Sequence, residues 1–152
     1  MQNRICIIAE AGVNHNGSIE NAKVLIDIAV KSGANIVKFQ TGKPENVISR
    51  KAPKADYQLK TTGREESQLE MVKKLALKDS DYFELKTYCE NKKIKFLSTP
   101  FDLDSVDLLA NRMNLPQLKL SSGEITNAPL LFKASQTGKK IILSDAFEKI
   151  HY

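Results

Sequence analysis

The chain has 152 residues, of which 41% are hydrophobic and 27% charged, which is ordinary for one soluble globular domain with a real core. Its formal charge of +5 invites a nucleic-acid reading, but the lysines are spread out and no RNP, KH or zinc-finger pattern occurs. No nucleic-acid partner is expected, and an anionic small substrate fits the excess equally well. No apolar run approaches the ~20 residues that span a bilayer, and the apolar start is short and closed by Glu10. No signal peptide and no membrane partner are therefore expected, and the location expected is cytoplasmic.

The first strand expected is Ile5–Ala9, whose uninterrupted apolar run predicts burial on both faces, as in a parallel sheet covered by helices. It ends in EAGVNHNG, Glu10 to Gly17. A carboxylate followed by small and amide-bearing residues finishes a core strand poorly, yet suits the floor of a site. His15 has only His151 for company, so it reads as a hydrogen-bonding loop residue rather than a metal ligand. Ser18 then caps a helix over Ile19–Lys31, with Ala22, Leu25, Ile26 and Ala29 on one face. Cys6 and Cys89 have no metal or redox spacing and read as reduced core thiols.

The second strand, Ile36–Gln40, carries Lys38 in its interior. Alternation puts Ile36, Lys38 and Gln40 on one side and Val37 and Phe39 on the other. The connection from Thr41 to about Glu65 is long for a βα loop. Its Lys43, Arg50, Lys51, Lys54, Lys60 and Arg64 read as a solvated surface, with a lid over an anion as the sharper alternative. Helices follow at Glu66–Leu77 and Tyr82–Asn91, a strand at Ile94–Ser98, and a helix at Leu103–Arg112 with Val106, Leu109, Ala110 and Met113 on one face. A strand at Leu118–Leu120, a helix at Pro129–Ser135 and a strand at Ile141–Ser144 complete the series. Such alternation means βα units and a parallel sheet. Both a doubly wound sheet and a (β/α) barrel fit.

Lys119 repeats the anomaly of Lys38: lysine is rarely buried without a partner. Both stand near the carboxyl ends of their strands, where parallel α/β folds bind ligands. Ser98-Thr99-Pro100 ends the third strand, Ser121-Ser122-Gly123-Glu124 the fourth and Ser144 the fifth. Hydroxyls beside lysines suit phosphate or carboxylate, and Glu10 and Glu124 are candidate acid–base groups.

These stretches together resemble the sialic acid synthase family. The carrying motifs are IIAEAGVNHNGSIENAK, GANIVKFQT, YQLKTT with ESQLEMVKKL, FLSTPFD, KLSSGEITNAPLL and KKIILS, running in order from about Ile5 to Ser144. The stretch from Tyr57 to Leu75 looks most like the N,N'-diacetyllegionaminate synthase branch. The resemblance implies an α/β fold, an incomplete (β/α)8 TIM-type barrel of about five parallel strands with intervening helices. It implies condensation of phosphoenolpyruvate with an N-acylated hexose, N-acetylmannosamine or a diacetylated analogue, to a nonulosonic acid plus phosphate. By the family pattern Lys38, Thr99, Lys119, Ser122 and Ser144 hold phosphoenolpyruvate, while Glu10, Gln40 and Glu124 face the sugar and the reacting centre. A divalent metal, Mn or Mg, is implied as cofactor, with ligands in a half of the barrel beyond these motifs.

The chain departs from the family pattern at Gly42, where an aromatic residue is usual, and after Ser144. Residues 1–144 are thus expected to form a partial barrel domain and 145–152 a divergent tail, without the second barrel half or the antifreeze-like domain. The chain alone is expected to lack synthase activity, and its exposed first and fifth strands favour self-association, hence a homo-oligomer. Two competing readings are a Schiff-base pyruvate aldolase, using a barrel lysine, and a non-catalytic anion-binding fragment.

Overall fold

The computed structural model describes residues 5–47 and 68–144. Within them, strands β1 (Ile8–Gly12), β2 (Ile36–Thr41), β3 (Lys95–Pro100), β4 (Gln117–Leu120) and β5 (Lys140–Leu143) alternate with helices. These are α1 (Ile19–Lys31), α2 (Pro44–Val47), α3 (Gln68–Leu75), α4 (Asp79–Asn91), α5 (Leu103–Asp107) and α6 (Ala128–Ser135). All ladders are parallel: β1 pairs with β2, β2 with β3, and β4 with β5. The strands form a three-stranded and a two-stranded sheet rather than one, with β4 beside β3 but no ladder joining them. No described helix is long and apolar enough to cross a membrane.

Local chemistry explains the elements. Ser18 caps α1 by accepting from the Asn21 N–H at 3.2 Å, and α1 buries Ala22, Ile26 and Ala29 while Leu25 is half-buried. Asp102 caps α5, accepting from the Ser105 N–H at 2.7 Å and also from the Lys43 N–H at 2.6 Å, so one carboxylate fastens the β2–α2 turn to β3. Past α5 the chain widens into a π turn over Leu108–Arg112, yet Val106, Leu109, Ala110 and Met113 are all buried on the face that the spacing predicts. Helix α4 starts three residues earlier than expected, at Asp79.

Two expectations fail at the start of the chain. The first strand begins at Ile8, with Ile5 86% and Ile7 54% exposed, and Cys6 is exposed too. Burial on both faces needs neighbours on both sides, and among the described residues β1 has a ladder partner only in β2. Cys89 is buried as expected, and burial pushes its thiol up to about 12. The readings placed on Arg50, Lys51, Lys54, Lys60, Arg64, the start of the Glu66 helix and the 145–152 tail lie outside the described residues.

The register separates two faces of the first sheet. Val37, Phe39, Phe96 and Ser98 point toward the helices, where the Phe39 and Phe96 rings stack at 5.6 Å and the Thr41 and Ser98 hydroxyls pair at 2.7 Å. Glu10, Lys38, Leu97, Gln40 and Thr99 share the other face.

Candidate active site

That second face carries the charged cluster. Glu10 lies opposite Lys38 in the register, and its Oε2 forms an ion pair with the Lys38 ammonium. A bulge between Glu10 and Gly12 turns the chain directly after the carboxylate. Gly12 sits at φ +55°, and a Cβ there would stand 3.2 Å from the Glu10 Oε1 and 3.7 Å from the Gln40 Nε2. Glycine therefore serves twice, adopting the left-handed backbone and leaving room for the two polar side chains.

Lys119 reaches the same neighbourhood from β4. Its ammonium donates to the Leu120 carbonyl at 2.8 Å. Burial holds its pKa below the ordinary lysine value, the Lys38 charge lowers it further, and Glu10 works in the opposite sense. Two lysines and one carboxylate thus share a field, leaving net positive charge. Thr99, opposite Gln40 in the ladder, is 2% exposed and its Oγ1 has no hydrogen-bond partner. A buried hydroxyl without a partner costs stability unless something else fills its valence.

The remaining sequence candidates stand nearby in the chain but are differently engaged. Ser122 opens a 3₁₀ turn over Ser122–Glu124 and is half-buried. Glu124 accepts from the Asn127 amide at 2.6 Å, and Asn127 in turn caps α6 through the Leu130 N–H at 3.3 Å. The Glu124 carboxylate is therefore occupied in steadying a helix start. Ser144 follows β5, half-buried, its N–H donating to the Leu120 carbonyl at 3.1 Å. The structure thus gathers Glu10, Lys38, Gln40, Thr99 and Lys119 around one strand end and ties Ser144 to Lys119 through the Leu120 carbonyl to which both donate, while Ser122 and Glu124 are engaged in the 3₁₀ turn and the start of α6.

The sequence alone reads His15 as a hydrogen-bonding loop residue rather than a metal ligand. Its Nδ1 does accept a loop hydrogen bond, from the Gly17 N–H at 3.1 Å, but the ring is 1% exposed and lines a cavity of about 250 Å³ that Gln40 also lines. The signal available in the sequence is Gly17, two residues on, whose φ of +74° brings its N–H back toward the imidazole.

The NeuB family profile matches residues 25–151. The N,N'-diacetyllegionaminic acid synthase of Campylobacter jejuni is 59% identical over 138 residues, covering 91% of this chain and 41% of that protein. The enzyme of the same name from Legionella pneumophila is 41% identical over 138 residues, covering 91% of this chain and 38% of that one. Among solved structures, the N-acetylneuraminic acid (sialic acid) synthetase of Leptospira borgpetersenii, in complex with citrate, superposes with a TM-score of 0.78 at 30% identity, covering 97% of this chain and 47% of that chain. A truncated 3-deoxy-D-arabino-heptulosonate 7-phosphate synthase of Thermotoga maritima shares the fold, with a TM-score of 0.61 at 12% identity over 97% of this chain and 42% of that one. The chain spans about two fifths of the length of the curated relatives it matches. With a profile that takes in both lysine-bearing strands, and relatives aligned over nine tenths of its length, the chain belongs to the NeuB family.

Proposed function

We propose that the chain carries the phosphoenolpyruvate-binding part of a synthase that joins phosphoenolpyruvate to an open-chain N-acylated hexose, yielding a nonulosonic acid of the sialic or legionaminic type and phosphate. The observation that carries this reading is the meeting of Lys38, Lys119 and the unpartnered Thr99 hydroxyl beside the Glu10 carboxylate. In this reading Lys119 and Thr99 hold the phosphoenolpyruvate anion, with Ser122 and Ser144 joining from the neighbouring strand ends. The enol methylene attacks the sugar aldehyde, water adds to the resulting oxocarbenium carbon, and phosphate leaves with C–O cleavage. Fixed cations stabilise the developing charge, Glu10 takes the proton of the adding water, and Gln40 orients the sugar. Glu124 serves the same centre once its hold on Asn127 is exchanged for substrate.

The divalent metal that the family resemblance implies finds no group of three His, Cys, Asp or Glu side chains able to hold it among the described residues. Self-association through the outer edges of β1 and β5, near exposed Ile7 and Leu143, belongs to the same proposal, as does a cytoplasmic location.

One observation favours a second reading. The lowered pKa of Lys119 makes a neutral amine more accessible, which is what an imine-forming aldolase needs. Borohydride reduction in the presence of pyruvate separates the two: an imine leaves a covalent adduct on Lys119, and the synthase chemistry leaves none. In a full-length family member with these residues, Lys119→Ala is expected to cut phosphate release by roughly thirty- to thousand-fold, the loss of about 2–4 kcal/mol at the transition state. Lys73→Ala, which removes a surface ion pair with Glu45, is expected to change it little. Equal activity of the two variants would remove Lys119 from the mechanism.

A further inference from the structure

We infer that Tyr82 is a positioning residue for Gln40: its hydroxyl, reaching from the helix layer, fixes the strand end so that the Gln40 amide keeps one direction toward the sugar. The inference rests on reading Gln40 as the residue that orients the sugar. Gln40 is the last residue but one of β2, and its side chain lies on the face of Lys38 and Glu10. A Cβ on Gly12 would stand 3.7 Å from its Nε2 and 3.2 Å from the Glu10 Oε1, so the amide and the carboxylate flank one glycine. A long side chain serves a reacting centre only when its direction is set, and that direction begins with its own peptide.

That peptide has run past its strand partner on one side. The Thr41 carbonyl accepts from the Phe101 N–H at 2.9 Å and so faces β3. Successive carbonyls on a strand face opposite edges, which turns the Gln40 carbonyl toward β1. The β1 register stops short of it, its last pair being Gly12 with Phe39. The Tyr82 hydroxyl takes the place of a strand donor, reaching the Gln40 carbonyl at 2.9 Å. Tyr82 itself sits in the first turn of α4, which two contacts hold in place. The Lys78 N–H donates to the Asp81 Oδ2 at 2.9 Å, and Arg112 pairs with Asp79 at 2.6 Å.

Burial and proton arithmetic both commit the phenol to this task. Tyr82 is 4% exposed, and a buried tyrosine hydroxyl needs a partner. Burial pushes its pKa up to about 12, so the phenol keeps its proton and donates. A hydrogen bond from the Thr41 hydroxyl to the phenol works in the opposite sense. Each hydroxyl has one proton. With the Tyr82 proton on Gln40 and the Thr41 proton on Tyr82, Ser98 donates to Thr41 across 2.7 Å. Ser98, Thr41 and Tyr82, all buried, thus run in one direction to the Gln40 carbonyl, and aligned hydrogen bonds strengthen one another in such surroundings. Thr41 and Ser98 lie on the helix side of the sheet, so this relay acts on the sugar through Gln40.

The test is NMR of the whole chain, ¹⁵N-labelled at the glutamine side chains and titrated separately with N-acetylmannosamine and with phosphoenolpyruvate. Gln40→Glu assigns the Gln40 amide by its loss. Tyr82→Phe keeps the ring and removes the hydroxyl. It is expected to shift the Gln40 side-chain amide in the free chain and to weaken N-acetylmannosamine roughly three- to tenfold, with the affinity for phosphoenolpyruvate unchanged. Thr41→Val should act in the same direction and less strongly, and Thr41→Ser, which keeps a hydroxyl, should leave the amide in its place. Leu85→Ala opens a cavity under the same helix. It should cost more stability than Tyr82→Phe yet leave the amide and the sugar affinity as they are, which separates positioning from folding. A Gln40 amide unmoved by Tyr82→Phe, or moved as far by Leu85→Ala, overturns the inference, as do equal losses of affinity for the two ligands. Where Tyr82→Phe fails to fold, the two Thr41 variants decide by the same comparison. If N-acetylmannosamine does not bind the unsubstituted chain, the reading of Gln40 as a sugar residue falls, and the response of its amide to Tyr82→Phe still decides the positioning.

Discussion

Lys38 and Lys119 come from the two different sheets and meet at one end of them, but their circumstances differ. Lys38, on β2, has its charge met by Glu10. Lys119, on β4, donates to the Leu120 carbonyl, and burial together with Lys38 disfavours its charge. The regions around them differ in the same sense. The sheet of β1–β3 is packed hard, with Val37, Phe39, Leu97 and Ser98 fully buried. The β4–β5 side leaves Leu143 50% and Phe132 66% exposed. The β1–β3 sheet thus presents a neutralised pair, and β4 presents the cation whose charge an anion would relieve.

The largest test of that contrast is in the packing. Phe39→Ala removes a fully buried ring stacked on Phe96 and is expected to cost about 3–5 kcal/mol of unfolding free energy. Phe132→Ala, on the exposed face of α6, should stay within about 0.5 kcal/mol. Chemical denaturation measures both, and similar losses would erase the distinction between the halves. Next is Gly17→Ala. A methyl there would drive into the Lys74 carbonyl of α3 from a left-handed backbone, and a cost of about 1–3 kcal/mol is expected. Hydrogen exchange in α3 should rise with it, and unchanged protection would show that Gly17 does not seat that helix.

A smaller effect lies in pH. The anion-binding form of Lys119 is the ammonium, and its pKa is lowered by burial first and by Lys38 second. Binding should therefore hold at neutral pH and weaken as pH rises, beginning below the ordinary lysine value of about 10.4. Phosphate affinity measured across that range checks the sign. Affinity that stays flat until the ordinary lysine range would mean that Lys119 is not the responsive group.

Much of this arrangement is legible in the amino-acid sequence. Ser18 followed by a face of Ala22, Leu25, Ile26 and Ala29 locates α1 to the residue, because cap and periodicity agree. Lys38 and Lys119 stand out as charges in apolar strands, and period-two alternation puts Lys38 and Gln40 on one face. What escapes depends on neighbours that a local pattern does not contain. The apolar run from Ile5 says nothing of whether a strand will cover its open side, and Ile5, Cys6 and Ile7 are exposed. The hydroxyls of Ser98 and Thr99 look alike in sequence, but the register sends Ser98 to Thr41 among the helices and leaves Thr99 facing Lys38's side. His15 becomes informative only once Gly17 claims its Nδ1.

The most direct measurement is calorimetric titration of phosphoenolpyruvate into the chain and three variants: Lys119→Gln, Glu10→Gln and Lys73→Gln. Hydrogen bonds to charged groups contribute about 1.5–3 kcal/mol, so Lys119→Gln should weaken binding by roughly ten- to hundred-fold. Glu10→Gln frees the Lys38 charge and should tighten binding by about two- to tenfold, even as it removes a group needed for turnover. Lys73→Gln should leave the affinity unchanged. Binding by all four proteins with one affinity, or by none, would contradict the anion site that Lys119, Lys38 and Thr99 are argued to form.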